Sequence, residues 1–188
     1  MTRAFLLALI AIATVTGAAA CGGSSASTTT TTTGPAPPQT FASQHYGFRM
    51  TLTRNWDEHD AFVDWDAKSL AGDENPAWAL FTDADTGRLV IVASTPTGMG
   101  LPAWRAAMVR GHPPECLESS SAAQTSLGGE PALAWTADCS AGGYDVNKLA
   151  ALQRTHGYII LLATPHPSNA AENRRLFESI RQSFRFTR

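Results

Sequence analysis

Apolar and polar residues alternate with period two in some stretches of the chain and recur at helical spacing in others. Over residues 47–53, Phe48, Met50 and Leu52 alternate with Arg49, Thr51 and Thr53, as in a half-buried strand, and Trp56 follows at its end. Phe62, Val63 and Trp65 mark a short extended or irregular piece among acidic residues. Residues 78–82 and 88–94 flank Asp83-Ala84-Asp85-Thr86-Gly87, which predicts a hairpin with a glycine-containing loop. The unbroken apolar run from Leu89 to Ala93 predicts a central strand buried on both faces.

Pro102 can open a helix at its first position. Trp104, Ala107 and Met108 recur at helical spacing, and Gly111, Pro113 and Pro114 end the pattern. Residues 117–126 and 132–139 read as strands around a Leu127-Gly128-Gly129-Glu130-Pro131 turn. Residues 148–156 and 158–164 form another pair, meeting at Thr155-His156-Gly157, with Ile159 to Leu162 continuously apolar. Asn169 can cap a closing helix, with Glu172 at capping-box spacing and Leu176, Phe177, Ile180 and Phe184 along one face. Phe184-Arg185-Phe186 reads as a last strand. About six strands, mostly in hairpins, with two helices predict an α+β fold: an antiparallel sheet flanked by helices.

The first forty residues differ in character. Met1-Thr2-Arg3 is a short positive segment, and the apolar stretch after it runs from Ala4 to Val15, about twelve residues. A membrane-spanning helix needs ~20, so the stretch suits the apolar region of a signal peptide better. Thr16-Gly17-Ala18-Ala19-Ala20-Cys21 has the form of a lipobox, with Ala18 where leucine is usual. Residues 1–20 are thus expected to be a lipoprotein signal peptide and Cys21 the lipidated residue, anchoring the chain at the extracytoplasmic face of the cell membrane. The alternative is an ordinary secretory signal that leaves Cys21 as a free thiol. Residues 21–40, with Thr28 to Thr33 and a proline cluster, lack apolar periodicity and read as a disordered tether. Residues 41–188 are long enough for one domain with a real core.

Net charge is −2, which gives no electrostatic pull toward nucleic acid. Acids such as Asp57, Glu58, Asp60 and Asp64 lie early, and Arg174, Arg175, Arg181, Arg185 and Arg188 lie late. They read as solvated faces with some pairing, or as a polar docking surface. Cys116 and Cys139 lie at similar distances on either side of the Gly-Gly turn, so two strands leaving it carry them to nearly opposite places. A disulfide closing a loop of about 22 residues is expected, contributing ~3 kcal/mol.

Catalytic and metal-binding patterns are weak. Asp83-x-Asp85-x-Gly87 resembles the start of a calcium loop, but Arg88 and Ser94 stand where glycine and glutamate are needed. His45, His59, His112, His156 and His166 have no partner at i+4. There is no Gly-x-Ser-x-Gly elbow and no phosphate loop. No cofactor, no metal site and no enzyme activity are expected.

The Tyr46-Gly47-Phe48-x-Met50 strand leading to Asn55-Trp56, the Leu127-Gly-Gly-x-Pro-Ala132 turn, the Gly157-Tyr158-Ile159-Ile160 strand and the Phe177-x-x-Ile180-x-x-Ser183-Phe184-x-Phe186 ending occur in a familiar order. Together they resemble the PsbP-like α/β/α sandwich of small cell-envelope lipoproteins in high-GC Gram-positive bacteria. The resemblance covers residues 41–188 and implies extracytoplasmic accessory or binding proteins without a shared catalytic set. A non-catalytic module working with an envelope protein partner is the first functional expectation. A carrier of a small apolar or lipid-like ligand is the second, with Trp65, Trp78, Trp104 and Trp135 lining a cleft between sheet and helices. An unrecognised envelope enzyme is the third.

Overall fold

The computed structural model describes residues 37–53, 56–67, 76–111, 116–119 and 121–187. The expected signal peptide, Cys21 and all but the end of the tether lie outside the described residues, as do His112, Pro113 and Pro114. Gln39 and Thr40 belong to strand β1 (Gln39–Ser43), paired with β2 (Phe48–Leu52).

A small antiparallel sheet has the order β1–β2–β11, where β11 is Arg185–Phe186. A larger antiparallel sheet contains β3 (Asp57–His59), β4 (Ala79–Asp83), β5 (Arg88–Pro96), β6 (Leu117–Glu118), β7 (Ala123–Leu127), β8 (Glu130–Cys139), β9 (Tyr144–Gln153) and β10 (His156–Pro165). Its order is β3–β4–β5–β10–β9–β8–β6, with β7 also on β8. The α-helices among the described residues are α1 (Leu101–Arg110) and α2 (Ala170–Ser183), and a 3-10 turn (Ser140–Gly142) follows β8.

The larger sheet is covered on both faces. Phe81, Val92, Leu149, Ile160 and Leu162 meet α2 and the small sheet through Phe177, Ile180, Phe48 and Met50. From the other face Ile91, Ala93, Val146, Ala150, Ile159 and Leu161 meet Trp104 and Met108 of α1. This is why β5 and β10 read as unbroken apolar runs: neither side of a central strand meets water.

Local chemistry sets the connections. The Asp83 side chain accepts from the Asp85 amide at 3.2 Å and the Thr86 hydroxyl at 2.6 Å, and Gly87 takes φ +67°. Those bonds make the segment a hairpin turn. The Asn169 side chain accepts from the amides of Ala171 and Glu172, starting α2 as expected. Glu172 also receives Arg88 from β5 at 2.7 Å, which ties the helix start to the sheet.

Two expectations on strand limits are corrected. The strand expected at 117–126 is split into β6 and β7, with five steps from Glu118 to Ala123 set against three from Ala137 to Ala134 on β8. The two extra residues form a bulge whose Ser119 carbonyl receives Arg105 of α1 at 2.8 Å. The turn expected at Thr155-His156-Gly157 lies earlier, because Gln153 pairs with His156 and leaves Arg154 and Thr155 as its two central residues. Gly157 sits within β10 instead, against the indole of Trp104. The Cys116–Cys139 disulfide is present, with Cα atoms 4.2 Å apart, next to the Leu117–Asp138 pair.

Candidate functional site

A concavity of about 870 Å³ opens at one end of the fold. It is built from the β1–β2 turn (residues 44–47), the segment after β3 (residues 60–64) and the β9–β10 turn (residues 153–156), over a floor that includes Tyr158 and Phe186.

Hydrogen bonds lock the first two walls together. Asp60 accepts from the Ser43 hydroxyl at 2.6 Å and from the amides of Gln44 at 3.0 Å and Ala61 at 2.9 Å. His45 Nε2 lies 3.0 Å from Asp64 Oδ1. The Tyr46 hydroxyl donates to the Ala77 carbonyl at 2.5 Å, and the Tyr158 hydroxyl to the Tyr46 carbonyl at 2.7 Å. Burial pushes the Tyr46 phenol up to about 12, so it acts as a fixed donor that braces the wall.

The remaining groups face outward. Phe62 is 63 % exposed at the lip, its ring edge-on to His59 with centroids 5.0 Å apart. Its amide is held by the Pro76 carbonyl at 2.8 Å. Arg154 and Thr155 are exposed on the facing lip, and His156 Nδ1 lies 3.3 Å from the Thr155 hydroxyl. A braced polar wall beside an exposed aromatic ring suits binding, since pockets join apolar contact to a few fixed polar groups. Among the described residues no cluster of His, Cys, Asp and Glu is arranged to hold a metal ion.

The tryptophans expected to line a cleft lie elsewhere. Trp65, Trp78, Trp104 and Trp135 are all buried in the core on the α1 face. Trp104 donates to the Tyr158 carbonyl at 3.1 Å and Trp135 to Glu118 at 2.6 Å. Between sheet and helices, α1 seats Trp104 and Met108 against one face of the sheet and α2 seats Phe177 and Ile180 against the other. Two of the late arginines are hydrogen-bonded within the domain. Arg181 holds Glu178 and the Ser126 carbonyl, and Arg185 holds the carbonyls of Gln182 and Phe184.

Sequence reasoning missed a buried ion pair. Lys148 Nζ lies 2.6 Å from Glu118 Oε1, with the side chains 3 % and 10 % exposed. Burial pulls the Lys148 ammonium below the usual lysine range, and its bond to Glu118 offsets part of that. Arg105 lies over the Trp135 ring, 5.3 Å from its centroid. The available signal was parity, since Lys148 shares a strand face with Val146 and Ala150. At the far end of the sheet, Asp145 accepts from Ser168 at 2.5 Å and meets His166 at 3.1 Å. The Ser168 bond is the main cause holding the Asp145 carboxyl below the usual range. Buried Asn173 completes that network through Thr164 and Ser168, so it joins α2 to the sheet.

Comparison with solved structures places this architecture. Cyanobacterial PsbP (CyanoP) from Synechocystis superposes with a TM-score of 0.54 over 89 % of this chain and 98 % of its own, at 13 % identity. The fold is PsbP-like. A Bacteroides thetaiotaomicron protein matches with a TM-score of 0.49 at 14 % identity, over 79 % of this chain and 48 % of its own. LpqN of Mycobacterium tuberculosis, described as involved in cell envelope biogenesis, matches at 0.44 and 12 % identity, over 80 % of this chain and 91 % of its own. No family model matches the sequence, and no curated protein does.

Proposed function

We propose that this PsbP-like chain is a non-catalytic binding module held at the extracytoplasmic face of the membrane by lipid on Cys21, working with an envelope protein partner. Its ligand docks in the cleft between residues 44–47, 60–64 and 153–156. The observation that carries this reading is the cleft itself: about 870 Å³, with its wall braced by Asp60, Asp64 and Tyr46 and Phe62 exposed at its lip. An aromatic ring at the lip of a concavity supplies the apolar contact that binding pockets combine with a few fixed polar groups. The address rests on the apolar stretch and the lipobox ending at Cys21. Among the described residues no helix is long and apolar enough to cross a membrane.

The test is native mass spectrometry of the tagged chain gently extracted from its own membrane, beside Phe62→Ser and Cys21→Ser variants. The intact chain is expected to carry diacylglyceryl mass and a retained ligand or partner. Phe62→Ser is expected to keep its melting temperature, because the ring is exposed, and to lose the retained mass. Cys21→Ser is expected to leave the membrane fraction. Retention unchanged in Phe62→Ser removes the cleft from the reading, and an unlipidated native chain removes the anchor.

A further inference from the structure

Arg154 occupies the first central position of the two-residue β9–β10 turn with φ +55°. It and Ala67 are the non-glycine residues with positive φ among those described. Positive φ at the first central position alone is the pattern of a type II′ turn, where glycine fits without penalty. An arginine there sets its Cβ against the backbone, a standing cost that glycine avoids. What arginine has and glycine lacks is the guanidinium, and this one lines the cleft.

The carboxylates sharing that cleft are hydrogen-bonded within their own wall, on the side away from Arg154. Asp60 accepts three bonds from Ser43, Gln44 and Ala61, and Asp64 pairs with His45. Arg154 is exposed and lines the lip of the cleft opposite that wall. Its neighbour His156 and the Thr155 hydroxyl add polar groups in the same turn. Across the opening stands the exposed ring of Phe62.

We infer that the cleft takes an amphiphilic anion: a phosphate or carboxylate held by the Arg154 fork, with an apolar portion lying on Phe62. A guanidinium matches the planar or tetrahedral oxygens of such a group through paired N–H donors. The inference rests on the cleft being the binding site and names the class of ligand it accepts.

The experiment is calorimetric titration of the full chain in zwitterionic-lipid nanodiscs, with protein-free discs subtracted. The probes are dihexanoyl phosphatidic acid, uncharged dihexanoylglycerol and inorganic phosphate. The phosphatidic acid is expected to bind about tenfold or more tighter than either of the others. Arg154→Gly is expected to lose that difference while melting no lower than the parent, because glycine relieves the turn. Arg154→Lys is expected to keep part of the affinity, since charge remains without the fork. Equal binding of the uncharged glyceride, or full phosphatidate affinity in Arg154→Gly, overturns the anion while leaving the cleft reading in place. Equal binding of inorganic phosphate overturns the apolar half and points to a free anion rather than a lipid headgroup. No binding of any probe overturns the inference outright. The cleft reading then stands or falls on mass retention in Phe62→Ser, which does not depend on ligand charge.

Discussion

Gly157 has no side chain because the indole of Trp104 occupies the space that one needs. A Cβ there lies 2.4 Å from Trp104 Cε2, and the same indole donates to the Tyr158 carbonyl at 3.1 Å, so the ring cannot move away without losing that bond. Gly157→Ala is therefore expected to cost about 2 kcal/mol, seen as a lower urea midpoint with unchanged slope. Glu118 is a second residue whose role is fixed by its neighbours. It holds Lys148 and the Trp135 indole at 2.6 Å each on a face that is otherwise apolar. Glu118→Ala takes a carboxylate from a buried ammonium and is expected to cost about 3–5 kcal/mol. Glu118→Gln with Lys148→Met keeps an acceptor for Trp135 and removes the charge, so the double variant is expected to recover much of that loss. Urea titration of the three chains checks the ranking.

Among elements, α2 does more than cover the sheet. Its Asn169 cap, the Asn173 network and Ser183 bonded to the Thr51 amide at 3.0 Å join it to both sheets. Arg181 links Glu178 to the Ser126 carbonyl at the end of β7, while Arg105 of α1 reaches the Ser119 carbonyl in the bulge. Each helix thus places an arginine on the outer strand pair, where charge discourages pairing with another chain. Its bond to Arg181 brings the Glu178 carboxyl down to about 2. The folded value lies below the unfolded one, so this contribution is complete above the ordinary glutamate range and is lost as pH falls through about 2. The Glu178 side chain is 46 % exposed, and solvent screening limits the contribution to about 0.5–1 kcal/mol. Glu178→Gln is expected to lower stability at pH 7 by that amount and to flatten the acid side of the melting-temperature profile.

For the whole molecule, the two core clusters share β4, β5, β9 and β10, whose alternate residues face opposite ways. Neither can be lost while the other stays, so a single cooperative transition is expected. Trp65, Trp78, Trp104 and Trp135 lie on the α1 face and Trp56 in the opposite cluster, so fluorescence weights the α1 side, whereas far-ultraviolet circular dichroism reports every strand. Coincident urea curves from fluorescence and dichroism check that single transition, and separated midpoints reject it. The Cys116–Cys139 bond ties the short β6 edge, and with it Glu118, to β8. Its loss in Cys116→Ser with Cys139→Ser is expected to cost about 3 kcal/mol and lower the urea midpoint by roughly 1–2 M.

What the sequence determined by itself was local. Period-two alternation marked β2, glycine and aspartate chemistry marked the β4–β5 hairpin, and Asn169 marked the start of α2, because each depends on residues a few positions apart. The disulfide was legible in outline: counting out from the Gly-Gly turn leaves Cys116 and Cys139 two residues out of step, and the bulge between β6 and β7 brings them opposite. Tertiary structure decided the rest. The tryptophans entered the core because α1 crosses the face on which Trp135 lies, and nothing near them in sequence names that face. Lys148 became buried because the bulge between β6 and β7 still brings Glu118 over β8. The cleft joins the segments around positions 45 and 62 to one about a hundred residues later, around position 154, and strand order brings them to one end of the fold. Periodicity acts over neighbours, whereas a binding surface is made by whichever loops the folded sheets set side by side.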